Sequence, residues 1–152
     1  MATSNTDITL DVMRAARVYI ETPEKWIQGA LATAPDNPLT QEKTFSVNPR
    51  SAIATCWCFE GAIKRALHEY QRDEPDRWGY YALHADDRSF LQEDIFRMFS
   101  EKARALKLPC LGDPDEARPA DYNDHPDATH TSILGCLDVC IAEVAEHVEG
   151  DE

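Results

Sequence analysis

The sequence lacks the features that identify several large classes of protein. Charged residues interrupt every apolar stretch well before the roughly 18 residues of a membrane-spanning helix. Residues 1–11 are polar and lack the basic and then apolar pattern of a secretory signal, so we expect none. Glycine occurs only 6 times, and no glycine-rich phosphate loop, dinucleotide fingerprint or nucleophile elbow is present. These absences predict a protein outside the membrane and leave its chemistry open.

Patterns of disulfide and metal sites are absent too. The five cysteines are an odd number in unrelated spacings, and most lie in helical patterns, where a free cysteine behaves as a small buried apolar residue. Cys136 and Cys140 are four residues apart, and no cysteine pair has the two-residue gap of a zinc site. The acidic loop around Asp113 lacks the ligand spacing and glycine of an EF-hand. We therefore expect a reducing cytoplasm, no metal and no cofactor.

Basic residues are scarce, and most strongly so in the last third of the chain. The net charge is −13, from 15 basic and 28 acidic residues. Residues 109–152 contain Arg118 as their only Lys or Arg and twelve acids, which leaves −2 for residues 1–108. Such a surface disfavours direct binding to nucleic-acid phosphate, which needs cations. The acidic charge could serve solubility or the binding of a basic partner, and the sequence leaves both open. The twelve acids are Asp113, Asp115, Glu116, Asp121, Asp124, Asp127, Asp138, Glu143, Glu146, Glu149, Asp151 and Glu152.

Apolar residues make up 43% of the chain, enough for one core in a single helical domain over residues 1–152, with its ends at 1–6 and 149–152 expected to fray. Their spacing predicts an all-α, compact bundle of four main helices, one or two short extra helices and two long loops. The main helices are expected at about residues 8–21, 51–71, 89–107 and 130–148.

The intervening segments follow from proline, glycine and polar residues. Pro23 suits the first turn of a short second helix, which would carry Trp26, Ile27, Ala30 and Leu31. Residues 34–50 and 73–87 are predicted to be the two long loops, with a brief extended piece at 44–47 in the first. Residues 108–123 form a proline-rich acidic loop.

Residues 56–62 (Cys-Trp-Cys-Phe-Glu-Gly-Ala), the central motif, fall within the predicted central helix. Glycine costs about 1 kcal/mol relative to alanine in a helix interior, so we expect Gly61 to mark the close approach of another backbone. Trp57 lies one turn before it on the same face and needs a partner for its indole N–H. Together, Trp57 and Gly61 would make a large knob beside a shallow groove, a candidate binding site.

Residues 122–129 (Tyr-Asn-Asp-His-Pro-Asp-Ala-Thr), the Asn-Asp motif, precede the last predicted helix. The side chains of Asn123 and Asp124 can fold back onto nearby backbone N–H groups, and Thr129 can cap the helix. We interpret the motif first as a well-specified helix entry. Asn123 and Asp124 are also candidate binding residues.

The two motifs, with the earlier segment Trp26-Ile27-Gln28-Gly29-Ala30, resemble an uncharacterised bacterial and phage family known only as a domain of unknown function. Tyr122 stands where that family usually has Trp, and Ser132 where a capping Glu is common, which weakens the expected cap of the last helix. The resemblance implies a helical fold and a location in a bacterial cell or, for a phage protein, its host. It does not indicate any activity. The matching residues of the two motifs are Trp57, Cys58, Gly61, Ala62, Asn123, Asp124, Pro126 and Thr129.

The same region contains the residue types of a cysteine hydrolase or transferase. Cys56 or Cys58 would be the nucleophile, His125 the base, and Asn123 or Asp124 the group that orients the base. However, Cys56 lies on the apolar stripe of the predicted helix, and burial makes a thiol unreactive by raising its pKa. A buried structural role is the favoured interpretation.

The aromatic residues Trp78, Tyr80 and Tyr81 cluster in the second predicted loop beside Arg77. Trp and Tyr often anchor interfaces, so the cluster is a candidate binding site. A loop packed onto the core is the equal alternative.

The function that we infer from the sequence is that of a non-enzymatic binding or regulatory protein. Its acidic C-terminal region would dock a protein with a basic surface, without direct contact to nucleic acid or membrane. The alternatives are the cysteine-dependent hydrolase or transferase and a structural accessory protein, and the oligomeric state stays open.

Overall fold

The computed structural model describes residues 4–35 and 44–150, with side chains as far as Val148. In these residues five α-helices accompany a three-stranded antiparallel sheet. Of the ends predicted to fray at residues 1–6 and 149–152, Ser4 caps α1, residues 5–6 lie in its first turn, and the backbone of residues 149–150 continues α5; residues 1–3 and 151–152 lie outside the described residues. The elements in chain order are α1 (Asn5–Tyr19), β1 (Ala32–Pro35), β2 (Thr44–Ser46), β3 (Cys56–Trp57), α2 (Phe59–Glu69), α3 (Ala85–Ala105), α4 (Pro119–Asn123) and α5 (His130–Gly150).

The prediction of an all-α bundle is wrong because of the sheet. Strand β1 lies in the centre, and Thr33 pairs with Ser46 of β2 on one side and with Cys56 of β3 on the other. The strands are only two to four residues long. Such short strands cannot show the alternation by which sequence predicts a strand. The extended piece expected at 44–47 is confirmed as β2, and residues 36–43 of the predicted loop lie outside the described residues.

Helix α1 begins earlier than its apolar pattern predicts. Ser4 and Asp7 form a reciprocal capping box, in which the hydroxyl of Ser4 accepts a hydrogen bond from the Asp7 N–H at 3.2 Å. The short second helix is wrong, because only a 3-10 turn forms, at Pro23–Lys25. Trp26 then turns extended and forms a parallel bridge with Trp57.

The central helix is also shorter than predicted: α2 begins at Phe59, not at Ser51. Arg65 donates a hydrogen bond to the carbonyl oxygen of Ser51 at 2.6 Å, which holds the preceding segment as a turn against the helix. Cys56 and Trp57 are in β3, so the central motif spans a strand and a helix start. The continuous apolar stripe arises because β3 and α2 both face the core.

Helix α3 begins at Ala85, after an irregular segment that confirms most of the second predicted loop. The proline-rich acidic loop contains the short helix α4 at its end. The cap of α5 corrects another expectation. Thr129 Oγ1 accepts a hydrogen bond from the Ser132 N–H at 3.0 Å, and Ser132 Oγ accepts one from the Thr129 N–H at 3.1 Å. Serine thus closes the reciprocal cap without the glutamate usual in capping boxes.

The core lies among α1, α2, α3 and α5. Phe59 is fully buried, and its ring stacks on Phe99 with ring centroids 3.9 Å apart. None of the described helices is long and apolar enough to cross a membrane. The largest fully buried side chains are Tyr122, Phe59, Phe99, Met13, Ile20, Ile63, Leu67, Leu91, Ile95, Ile133, Leu137 and Val12.

Gly61 marks the close backbone approach that its helical position predicts. The carbonyl oxygen of Leu31, one residue before β1, accepts a hydrogen bond from the Cys58 N–H at 3.1 Å. A Cβ on Gly61 would overlap this same carbonyl group. Glycine is therefore required for the first turn of α2 to pack against the chain that enters the sheet.

Gly61→Ala is expected to lower the free energy of unfolding by about 2–3 kcal/mol, because the added methyl group forces two backbones apart. Gly135→Ala on α5 is the matched control, since a Cβ there meets no atom within 4 Å. It should raise stability by up to about 1 kcal/mol. Urea unfolding followed by circular dichroism measures both, and equal effects of the two substitutions would contradict the close approach.

Candidate functional site

The three segments singled out from the sequence meet at one place, which we call the motif joint. It consists of residues 26–29, before the sheet, residues 58–61, at the start of α2, and residues 122–125, at the end of α4. These segments are separated by 28 residues or more in the chain. Hydrogen bonds between side chains and backbone hold them together.

Asn123 lies at the centre of the motif joint and is fully buried. Its Oδ1 accepts hydrogen bonds from the Trp26 indole N–H at 2.8 Å and from the Phe59 backbone N–H at 3.1 Å. Its Nδ2 donates to the carbonyl oxygen of Ile27 at 3.0 Å and to Asp124 Oδ1 at 2.9 Å. An amide side chain can make two bonds of each kind, so Asn123 has no capacity left for a ligand.

The neighbours of Asn123 strengthen the same contact. Gln28 Nε2 donates hydrogen bonds to the carbonyl oxygens of Asn123 and His125, both at 2.9 Å. Asp124 Oδ1 accepts a hydrogen bond from the Gly29 N–H at 3.0 Å. Asp124 therefore fixes the turn that precedes the sheet. Each residue of the segment Trp26–Gly29 forms a hydrogen bond with Asn123 or Asp124.

Glu60 joins α2 to α4 and is the buried acid of the central motif. Its Oε2 accepts a hydrogen bond from the Ala120 N–H in the first turn of α4, at 2.8 Å. Burial raises the pKa of Glu60, and the hydrogen bond from Ala120 and the charges of Arg118 and Lys64 oppose that rise. The carboxylate supports the N-terminus of α4 and so positions Asn123 indirectly.

Trp57 lies in the core and is not a knob beside a groove. Its indole N–H donates to the carbonyl oxygen of Pro49 at 3.2 Å, which is the partner that burial demands. Its ring packs against Tyr19, with centroids 4.9 Å apart, and Arg65 lies over the Trp57 ring at 5.9 Å. These contacts fasten β3 to α1 and α2.

The thiols of the central motif do not meet a base. Cys58 is the N-cap of α2, and its Sγ accepts a hydrogen bond from the Gly61 N–H at 3.3 Å. Burial raises the pKa of Cys58 to about 12. The Cys56 thiol donates to the carbonyl oxygen of Glu24 at 3.3 Å. His125 Nδ1 accepts a hydrogen bond from the Asp127 N–H, and no bond in the described part of the chain joins His125 to either thiol.

Tyr122 is the first residue of the α4 segment of the motif joint and is 1% exposed. Its hydroxyl is the one buried side-chain N or O atom without a hydrogen-bond partner among the described residues. Burial raises its pKa. The ring is part of the hydrophobic core.

The aromatic residues of the second loop remain on the surface. Trp78 and Tyr80 are each 61% exposed, and Tyr81 is 48% exposed. The alternative of a loop packed onto the core is therefore wrong for these three side chains. We call residues 76–81 the aromatic loop.

Asp76 fixes the conformation of the aromatic loop. Its Oδ1 accepts hydrogen bonds from the backbone N–H groups of Trp78 and Tyr80, both at 2.9 Å. The hydrogen bond from Tyr80 is the main cause that lowers the pKa of Asp76, and the bond from Trp78 lowers it further. His84 also lowers this pKa, because its Nε2 lies 2.6 Å from Oδ2 of Asp76. Gly79 has a φ of +87°, a conformation that other residues rarely adopt. The loop is closed by a bridge between Gln71 and Ala82.

Two surface grooves lie away from the motif joint. One, of about 380 Å³, separates α3 from residues 114–119 and is lined by arginines that already form ion pairs, such as Arg104 with Asp115 at 3.0 Å. The other, of about 350 Å³, lies near the start of α1. In residues 4–35 and 44–150, no group of three or more His, Cys, Asp or Glu is arranged to hold a metal ion.

The helices and the small sheet define a mixed α/β protein. The hydrogen bonds of its motifs hold the three segments of the motif joint together. The family model described as "Family of unknown function (DUF6197)" matches residues 4–143, and the chain belongs to this family. The match contains all three segments of the motif joint. The search of the curated proteins and the search of the solved structures found no match.

The sequence patterns singled out several residues of the joint, without predicting that they meet, and missed others. Asn123, Asp124, Gly61 and the Trp26–Gly29 segment all lie in it, whereas Trp57 lies in the core beside it. Glu60 was missed, although an acid within an apolar motif is a signal for a buried hydrogen bond. Asp76 was missed too, and its spacing before Trp78 is the signature of an Asx turn.

In the native protein, iodoacetamide at pH 8 is expected to modify Cys56 and Cys110, which are half-buried, before the three buried thiols. Cys58, Cys136 and Cys140 should react only when the chain unfolds. Peptide mass spectrometry measures the rates, and protein unfolded in urea, where all five thiols react, is the control. Faster reaction of native Cys58 than of Cys110 would restore the nucleophile that a cysteine hydrolase needs.

Proposed function

We propose that the protein is a non-enzymatic binding protein of bacterial or phage origin whose acidic C-terminal region docks a partner with a basic surface. The observation that carries the proposal is the division of the acids. Glu116, Asp127 and Glu146 are exposed and form no ion pair within the described residues. They are available to a partner.

Other acids of the same region serve the fold. Asp138 pairs with Arg17 of α1 at 2.6 Å, and Glu143 pairs with Lys102 of α3 at 2.8 Å. These pairs tie α5 to its neighbours, so the basic residues of the first two thirds are partly consumed. Binding is therefore expected to use the unpaired acids, and the size of the interaction should depend on salt.

The cysteine-dependent hydrolase or transferase is the weaker alternative. It needs a reactive thiol beside a base, and Cys58 is buried with a raised pKa while His125 is bonded elsewhere. The five free cysteines favour a cytoplasmic location, in the bacterial cell or in the host of a phage. The proposal includes no direct contact with nucleic acid.

Replacement of two unpaired acids by amides, Glu116→Gln with Glu146→Gln, should weaken binding of a fluorescent deca-lysine peptide at low salt by about threefold. Two exposed ion pairs at about 0.3 kcal/mol each give this factor. Fluorescence anisotropy at low and high salt measures it, and the difference should disappear at high salt.

The matched control is the pair Asp11→Asn with Glu24→Gln, which removes the same charge from exposed acids that have no ion pair in the described residues. It should change the affinity much less. Equal losses for the two double variants would mean that the peptide responds to net charge alone, and the localised acidic surface would be abandoned.

A further inference from the structure

We propose that the aromatic loop is a second docking site, at which the basic partner presents an arginine whose guanidinium stacks on Trp78 in place of Arg77. The inference rests on the proposed function only in that the partner is basic. The aromatic loop is a different surface from the acidic C-terminal region, and the residue of the partner that it would bind is an arginine.

Folding of the core does not account for the exposure of the aromatic loop. Trp78, Tyr80 and Tyr81 expose between 48% and 61% of their surface within four consecutive residues. Single exposed apolar side chains are ordinary on protein surfaces, but clustered large aromatics mark interaction sites. Trp, Tyr and Arg are the residues most enriched where binding energy concentrates.

Hydrogen bonds and ring contacts fix the aromatic loop before any partner arrives. Besides the two bonds to Asp76, the Asp76 N–H donates to the carbonyl oxygen of Tyr80 at 2.8 Å, and the Arg72 N–H donates to that of Tyr81 at 2.8 Å. The rings of Trp78 and Tyr80 both stand edge-on to His84, at 90° and 85°. Such preorganisation reduces the entropy lost on binding.

The ring of Trp78 already carries a guanidinium, that of Arg77. The Cζ atom of Arg77 lies 4.1 Å from the centroid of the Trp78 ring. Arg77 is exposed and forms no ion pair in residues 4–35 and 44–148, so stacking on the ring is the contact that holds it. The geometry of a bound arginine is thus displayed by the chain itself, and an exposed side chain is easily displaced.

The aromatic loop belongs to an acidic segment of the chain, whose charge is complementary to a basic partner. Residues 73–87 contain five acids and Arg77 as their only Lys or Arg. Asp73, Glu74 and Asp86 are exposed and form no ion pair within the described part of the chain. An aromatic surface on such an acidic segment favours a cation, and the planar guanidinium of arginine stacks on an indole better than the ammonium of lysine does.

The test compares two fluorescent peptides of equal charge, an octamer alternating Gly and Arg and one alternating Gly and Lys. Trp78→Ala should weaken binding of the arginine peptide by about fivefold and of the lysine peptide much less. Phe90→Ala is the matched control, because Phe90 is 63% exposed on α3 outside the aromatic loop, and it should change neither.

Arg77→Ala gives a second, independent outcome. It vacates the Trp78 ring and should strengthen arginine binding more than Lys25→Ala, which removes the same charge from an exposed lysine elsewhere. Equal gains for these two variants, or equal losses for Trp78→Ala and Phe90→Ala, would overturn the proposal. A dimer in sizing chromatography that Trp78→Ala dissociates would also overturn the proposal, since a second copy of the chain would then cover the loop.

The variant Glu116→Gln with Glu146→Gln separates this inference from the proposed function. It should weaken both peptides alike if the acidic C-terminal region binds them. If it has no effect while Trp78→Ala still selects against arginine, the proposed function fails and the aromatic site stands. If it weakens both peptides while Trp78→Ala is neutral, the aromatic site fails alone.

Discussion

The side chain of Asn123 makes four hydrogen bonds inside the protein, and they hold together the segment before the sheet, the start of α2 and the end of α4. Its acceptor oxygen holds Trp26 and the first amide of α2, and its donor nitrogen holds the chain at Ile27. A buried amide that loses a partner costs about 1–3 kcal/mol for each group left unsatisfied. The four bonds therefore act together to specify one arrangement of sheet and helices.

This constraint separates the fold from the surface. The joint uses the polar atoms of the motifs, Gly61 lets the backbones meet, and Glu60 accepts a hydrogen bond from the first turn of α4. The groups that remain available lie elsewhere, as exposed acids of the C-terminal region and as the rings of Trp78 and Tyr80. The chain belongs to a family of unknown function, and its motifs explain the fold. The residues that serve its function are therefore expected on the surface.

Sequence reasoning reached the joint through residues that have strong local requirements. Gly61 in a helix, Thr129 before one, and the paired Asn123 and Asp124 each announce a backbone contact. The sheet was missed because Cys56 and Trp57 continue the apolar period of α2, although Cys58 ends the strand by capping the helix. The hydrogen bonds that make β3 a strand come from residues about 25 positions earlier, and no local period records such a partner. The exposure of Trp78 is likewise a property of tertiary packing, which composition leaves open.

Hydrogen exchange of the Trp26 indole N–H tests the central role of Asn123 most directly, with its NMR signal assigned by Trp26→Phe. The Trp78 indole, which is exposed, serves as a freely exchanging reference in the same spectrum. If the joint holds the fold together, Trp26 exchanges only through global unfolding, and its protection equals the free energy of unfolding measured in urea. Exchange of Trp26 through an opening several kcal/mol below that value would show that the joint separates while the fold persists, and would contradict the account.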